Sequence, residues 1–502
     1  MTKTTLLIAG AAILALGAAR ADVIEKGVKD AALSGLLAGV ARADITPPVG
    51  IAHLNWGSQT HVVAAGVDPV GMCATALALS DGKQKFAMVD IDALTVDGME
   101  DVARRASALT GIPELHIRLA ATHTHSAPNI SAAKGPAGVD LTPHQKMLER
   151  YRMALADKVV GAIVEANGLL QPVHLYGDRG LGRININRRV RAKGDMPAAV
   201  GRNTEGFTDR ELVVIRIDDA EGRPLAILAN YQCHGTVLAY ENQLLSPDWI
   251  GAMRRVVEQA MPGAKCLFFR GAAGNQGPIE GFTGDVSVAH RLGTMLGHEV
   301  AAVAFGVETV KREPRFEGFV ESTAYQARQH WRVLGPRGAT LKFATRVLEL
   351  PPRRYTPREI DEMETLVADA QRKLQAPQVS VDPWKKHQAE ARLRRFADLL
   401  TDWRRAPTQA PVKVRVQILR IGDVAIVAMP GEPFAEIGAA IKKASPFPVT
   451  MFCGYSSGEG GDYMPIEPEY KLGGYEVQRT PYGTGAAEKL IRETVALFGE
   501  VQ

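Results

Sequence analysis

The chain has 502 residues, 46% of them hydrophobic and 23% charged, and carries a formal net charge of +4. That length can bury a large core, and so even a balance of charge excludes the strongly basic surface of a nucleic-acid binder. Beyond the N-terminus no apolar run approaches the roughly 20 residues needed to span a bilayer, so no stable transmembrane span is expected.

The first element in chain order is a targeting segment. Lys3 precedes an apolar stretch from Leu6 to Leu16, followed by Ala19-Arg20-Ala21, an A-x-A cleavage pattern. Residues 1–21 are therefore expected to be a signal peptide cut after Ala21, leaving a periplasmic or secreted mature chain, 22–502. An uncleaved anchor fits less well, because the apolar stretch is short and ends in small residues. Cleavage removes Lys3 and Arg20 and no acid, taking the charge from +4 to +2. Cys73, Cys233, Cys266 and Cys453 are scattered with no C-x-x-C pair, so they are either disulfide partners of unassigned pairing or buried small hydrophobes.

Strand-like apolar runs extend from Lys85 to Leu94, His116 to Ala121, Leu225 to Tyr231, Cys266 to Phe269 and Val424 to Met429. Helical patterns lie between or after them: from Thr142-Pro143 to about Ala166, from Asp248 through Trp249 to Ala260, from about Val286 to Ala304, and from Ala486 to Phe498. This alternation predicts an α/β class with mixed buried β-sheets and interleaved helices in a single large catalytic domain. One region breaks the rhythm. Thr356 to Gln375 and Asp382 to Arg405 are rich in Glu, Lys, Arg and Ala at helical spacing, a helical insertion over about 356–405, expected to be a solvated decoration rather than a lid.

The chemistry-bearing residues sit where apolar runs end. Thr122-His123-Thr124-His125-Ser126 comes directly after the His116–Ala121 run, and residues two apart on an extended chain face the same side, so both imidazoles can look into one pocket. Alone, this H-x-H is as compatible with two surface histidines as with a metal site. His234 lies just past the run ending at Tyr231, and Glu432 just past Val424–Met429. Three such donors at three strand ends match an open catalytic zinc site, with nitrogen and carboxylate ligands and a place for water. Each one singly reads better as a hydrogen-bonded structural residue.

Gly454-Tyr455-Ser456-Ser457-Gly458 matches the nucleophile elbow of serine hydrolases, but the next residues, Glu459-Gly460-Gly461-Asp462-Tyr463-Met464-Pro465, are a poor helix start, and no histidine comes after His387. It is read as a decoy. A metallo-β-lactamase-like site lacks its Asp-His continuation here, and neither H-E-x-x-H nor a Walker loop is present. A TIM-barrel metal amidohydrolase acting on a small amide or ester stays open, as does a non-catalytic metal- or glycan-binding relative.

Taken together, the motifs resemble those of the neutral/alkaline non-lysosomal ceramidases. The similarity runs from Gly39-Val40-Ala41-Arg42-Ala43-Asp44-Ile45-Thr46-Pro47 through Thr122–Ser126, His234-Gly235-Thr236 and Pro430-Gly431-Glu432 to Tyr463, Tyr470 and Tyr475-Glu476. The resemblance implies a Zn2+ ion held by His123, His234, Glu432 and Tyr463. It also implies that His125 is an acid/base group, that Tyr475 holds the substrate carbonyl or its oxyanion, and that Arg188 lies beside the site. The implied reaction is attack of a zinc-activated water on the amide carbon of an N-acyl substrate, ceramide being the leading candidate. His125 would pass a proton to the leaving amine, because an amide nitrogen must be protonated to depart. Two departures bear on this. Family enzymes tend to carry a serine where this chain has Gly277, which leaves no hydroxyl for a serine-nucleophile route. The similarity is also to the N-terminal catalytic domain and not to the family's immunoglobulin-like C-terminal domain, so it implies the class of chemistry more directly than a lipid substrate.

Overall fold

A computed structural model describes residue 28 and residues 31–53, 55, 56, 59, 61–130, 141–191, 197–406 and 410–502. The signal segment expected at 1–21 lies outside the described residues. Among the described residues, no helix is long and apolar enough to cross a membrane.

Two sheets face each other across an apolar layer. The larger has eight strands, in the spatial order Lys265–Arg270, Pro224–Tyr231, Glu211–Asp219, Gln171–Leu181, Leu37–Asp44, Cys73–Ser80, Lys85–Ile91 and Ile117–Ala121. Only its two outermost pairs are parallel; the pairs between them are antiparallel. The second sheet has four strands, in the order Leu341–Leu350, Val412–Ile421, Val424–Ala428 and Val449–Cys453. Leu77, Phe86, Met88, Leu228, Phe269, Leu419, Ile426 and Met451 fill the space between the sheets. The α/β class with mixed sheets is thus present. An all-parallel barrel of the TIM type is not, because the central strands of the larger sheet run antiparallel.

Helices cover the outer faces. Glu100–Thr110 and Thr142–Gly168 pack on one part of the large sheet through Val102, Leu155, Val159 and Ile163. Trp249–Ala260 and Val286–Gly306 pack on another through Ile250, Met253, Leu292 and Leu296. Ala435–Ala444 and Ala486–Leu497 cover the small sheet through Ile437, Ile441 and Leu490. Gly39, in the Gly39–Pro47 motif, is glycine because the strand passes under a helix end: a Cβ there would lie 2.1 Å from the Ala166 carbonyl oxygen. All four cysteines are free thiols, three of them buried, in accord with their reading as small hydrophobes.

The large sheet curls until its two parallel edges meet. Phe268 N donates to Asp90 Oδ2 at 2.8 Å, and Thr124 bridges Gly235 in parallel fashion. Arg254, from the Trp249–Ala260 helix, donates to Asp90 Oδ2 at 2.5 Å and to both oxygens of Asp92 at 2.9 Å, all within the core. Asp92 also accepts from the Thr122 hydroxyl and from Cys73 N. Buried charges of this kind are costly to break singly, because the orphaned partner keeps its desolvation penalty. We therefore expect Arg254→Met to lower the unfolding free energy by about 3–5 kcal/mol in urea titrations; a loss below about 1 kcal/mol would show that the pair does not hold the edges together.

Candidate metal centre

Strand ends of both sheets deliver the expected donors to one place. The Ile117–Ala121 strand ends just before His123, Pro224–Tyr231 before His234, and Val424–Ala428 before Glu432. One ligand atom from each of these three side chains lies within 4.8 Å of the other two. His234 Nε2 is 3.0 Å from Glu432 Oε2, and His123 Nε2 is 3.6 Å from the same oxygen.

Both imidazoles are oriented by the backbone. His123 Nδ1 is 2.7 Å from the Leu94 carbonyl, and His234 Nδ1 is 2.8 Å from that of Ala273. A carbonyl can only accept, so in each ring Nδ1 carries the proton and Nε2 presents a lone pair towards Glu432, as in protein metal sites generally. His123 Nε2 is buried with no hydrogen-bond partner. Burial holds both rings well below the usual histidine pKa, opposed at His123 by Glu432 and reinforced at His234 by Arg188 and Arg270. Two neutral imidazoles and a carboxylate form a donor set suited to a divalent cation such as zinc.

Glu432 has a close backbone fit. Gly431 adopts a left-handed φ of +81°, and a Cβ on Gly274 would lie 2.3 Å from the Glu432 carbonyl. Glu432 pairs with Tyr463 in a short parallel bridge, which brings that tyrosine to the site. Tyr463 is 4% exposed; burial and the charge of Glu432 push its hydroxyl well above the usual range, while Arg188 opposes them. Arg188 Cζ lies 5.4 Å from the centre of the Tyr463 ring, and Arg188 Nε donates to Glu476 at 2.8 Å. Arg189 ties the same glutamate to Glu469, so the wall behind Tyr463 is a buried chain of ion pairs.

His125 stands beside the trio, its ring 4.9 Å from His123 and 6.4 Å from His234. Both of its ring nitrogens are buried without a partner, and its face meets Trp56 at 4.7 Å. Burial, partly offset by Glu432 and deepened by Arg188, lowers its pKa to about 4. Tyr475 lies one ring further out, 5.7 Å from Tyr463. The structure thus gathers His123, His125, His234, Glu432, Tyr463 and Arg188 around one centre, with Tyr475 against Tyr463. A Cβ at Gly277 would sit 3.3 Å from Arg188 Cβ, so a serine there would press on this arginine, not on His125.

The helical insertion departs from expectation. Its helices, Pro357–Leu374 and Pro383–Arg405, do not simply face solvent. Arg395 lies over the Tyr475 ring at 4.7 Å and donates to Gln478, and Trp403 Nε1 donates to the Gln478 carbonyl. Charge-rich helical periodicity looks the same whether the polar face meets water or a neighbouring loop.

Sequence reading also missed Tyr455, in the segment set aside as a serine-hydrolase decoy. Ser456 Oγ is spent on the Gly454 carbonyl, whereas the Tyr455 hydroxyl donates to Glu432 Oε2 at 3.3 Å. Arg270, missed as well, lies under the Tyr455 ring at 5.4 Å and donates to the Thr122 carbonyl at 2.9 Å. No short motif marks either residue; only the strand-end position of each was a signal.

The sequence profile of the neutral/alkaline non-lysosomal ceramidase N-terminal domain matches residues 36–288, just over half the chain. The chain belongs to this family. The matched region contains His123, His125, Arg188 and His234, whereas Glu432, Tyr463 and Tyr475 lie beyond it. Neutral ceramidase B of Dictyostelium discoideum is 28% identical over 152 residues, 30% of this chain and 21% of its own length. Neutral ceramidase of Pseudomonas aeruginosa is 31% identical over 149 residues, 29% of this chain and 22% of its own. These matches span about a fifth of each curated relative. The crystal structure of the Pseudomonas aeruginosa neutral ceramidase superposes with a TM-score of 0.59 at 19% identity, over 94% of this chain and 75% of that one, which shows a shared fold.

Behind the centre, Asn275 Nδ2 donates to Glu436 at 2.8 Å, and burial pushes the Glu436 carboxyl up to about 7. A raised carboxyl pKa favours the protonated form in the folded state. Its stabilising contribution is therefore complete below the unfolded value of about 4.3 and is lost as pH rises through about 7. Wild-type stability should fall between about pH 4 and about pH 7, and Glu436→Gln, which imitates the protonated acid, should flatten that fall in urea titrations. Equal slopes for the two proteins would contradict this assignment.

Proposed function

We propose that this chain is an exported zinc-dependent amidase that hydrolyses the amide bond of an N-acyl lipid, with ceramide as the leading substrate. The observation that carries this reading is the convergence of His123, His234 and Glu432, whose two imidazoles are held in the ligand tautomer by backbone carbonyls. Tyr463 completes the proposed donor set from the strand segment paired with Glu432. A zinc ion held by these residues would supply Lewis acidity and would lower the pKa of a coordinated water from about 15.7 towards about 7.

The chain's own residues account for the remaining needs of the reaction. His125 is neutral in its buried setting, so it can take up a proton at a free ring nitrogen and release it to the departing amine. Burial works against the charge of Arg188, but Tyr463, Glu476 and Glu432 outweigh that effect and keep the guanidinium charged. It thereby offers positive potential where negative charge develops on the carbonyl oxygen, and Tyr475, packed against Tyr463, offers a hydroxyl. Trp56 packs on the His125 ring at 4.7 Å and meets Phe282 edge-on at 5.8 Å. Export rests on the Lys3 to Ala21 pattern, and the lipid substrate rests on the family.

Release of fatty acid from N-acylsphingosine by the purified protein tests the proposal. We expect turnover that stops on chelation and returns with zinc. His123→Ala should lose both metal and activity, while His125→Ala should keep its metal and lose roughly 10²–10⁴-fold in turnover. Metal-bound wild type with no hydrolysis of ceramides or simpler N-acyl amines would refute the amidase reading. Full turnover by His125→Ala would refute the assigned proton transfer.

A further inference from the structure

Arg118 is a charge in the wrong place for a structural residue. It lies on the Ile117–Ala121 strand and shares a face with Ala120, which points into the apolar layer between the two sheets. It is 6% exposed. Its Nη2 approaches the Met88 sulfur at 2.6 Å and its Cζ lies 5.7 Å from the Phe269 ring centre, but Nε has no hydrogen-bond partner. No carboxylate among the described residues pairs with it; burial depresses its pKa, and the one group that opposes this is the Cys453 thiol. Arg254 has Asp90 and Asp92, Arg188 and Arg189 share Glu476, and Arg270, which likewise has no carboxylate, is held instead by the Thr122 carbonyl. A desolvated guanidinium without a counter-charge costs several kcal/mol.

Arg118 also lines a recess, together with Phe86, Met88, His116, Phe343 and Gln417, whose free space is about 20 Å³. Arg118 is the one permanently charged group of this lining. Gln417 Nε2 already gives one hydrogen to the Leu115 carbonyl, and the His116 ring, fixed by its Nδ1 on the Lys85 carbonyl, stacks on Phe86 at 4.2 Å. The recess has room for a water-sized guest. Its walls are mostly aromatic and aliphatic, so they favour a weakly hydrated guest with a single charge.

We propose that this recess binds one chloride-sized monovalent anion, which pairs with the Arg118 guanidinium and neutralises it within the layer between the sheets. The site is separate from the metal centre, on the strand that ends just before His123. Binding to the folded chain alone couples the anion to stability by mass action.

Diffraction from full-length crystals grown in sodium bromide, recorded at the bromine edge, tests the site directly. We expect an anomalous peak at hydrogen-bond distance from Arg118 in wild type and none in Arg118→Met. In solution, wild type should broaden the chloride NMR signal, Arg118→Lys should do so more weakly, and Arg118→Met should not. Replacing gluconate by chloride at constant ionic strength should raise the wild-type Tm by several degrees and leave that of Arg118→Met unchanged. Should Arg118→Met fail to fold, the wild-type bromide map and Arg118→Lys decide the matter. A recess without bromide overturns the proposal, as does a peak present equally in wild type and Arg118→Met, which would mark an adventitious ion only.

Discussion

The guanidinium of Arg270, buried beneath the candidate centre, fixes the relation of three strand ends. It donates through both Nε and Nη2 to the Thr122 carbonyl, immediately before His123. It supports the ring of Tyr455, which in turn bonds to Glu432. Its own carbonyl accepts from Gly454 N. One residue thus links the edge of the large sheet that carries His123, the strand beside His234 and the end of the small sheet. With the two sheets meeting along such a seam, the candidate ligands need no local motif, because the seam places them.

The backbone around the seam is strained in a pattern that matches this role. Non-glycine residues with left-handed φ are His123 at 58°, Tyr455 at 55° and Asp462 at 60°, the last immediately before Tyr463, together with Asp248 and Phe282. Such conformations cost of order 1–3 kcal/mol each and persist where surrounding contacts over-determine them. Here those contacts are present: the Thr122 carbonyl is clamped by Arg270, Asp462 Oδ1 accepts from Tyr463 N, and Asp248 accepts from Leu238 N and Trp249 N. Turning the chain sharply at a strand end aims His123 across the pocket rather than along the strand. The cost in stability is offset by the apolar layers on either side of the sheets.

Much of this was legible in the sequence, for definite reasons. Apolar runs ending in small or polar residues marked the strands that deliver His123, His234 and Glu432, because a strand buried on both faces has to be apolar throughout. Helices such as Trp249–Ala260 announced themselves through the Asp248 cap and their amphipathic period. What escaped was long-range or two-faced. The exposed ribbon formed by Val310–Val320 and Gln326–Pro336 has no apolar run of the buried type. The insertion's packing on Tyr475 depends on a tertiary contact of Arg395 that periodicity does not encode. Tyr455 sat inside a motif set aside for its serine, and that hid the tyrosine. The expectation that Tyr463 is a ligand rests on the family resemblance alone, since nothing local distinguishes a ligand tyrosine from a packed one.

The central claim is that two imidazoles in fixed tautomers and one carboxylate, joined by a buried tyrosine, hold a catalytic zinc ion. Zinc-edge X-ray absorption on the protein as purified addresses it most directly. We predict one zinc per chain with two imidazole nitrogens at about 2.0–2.1 Å and oxygen donors filling the remaining positions. A protein without stoichiometric metal, or a metal bound by sulfur or lacking the two imidazoles, would contradict it.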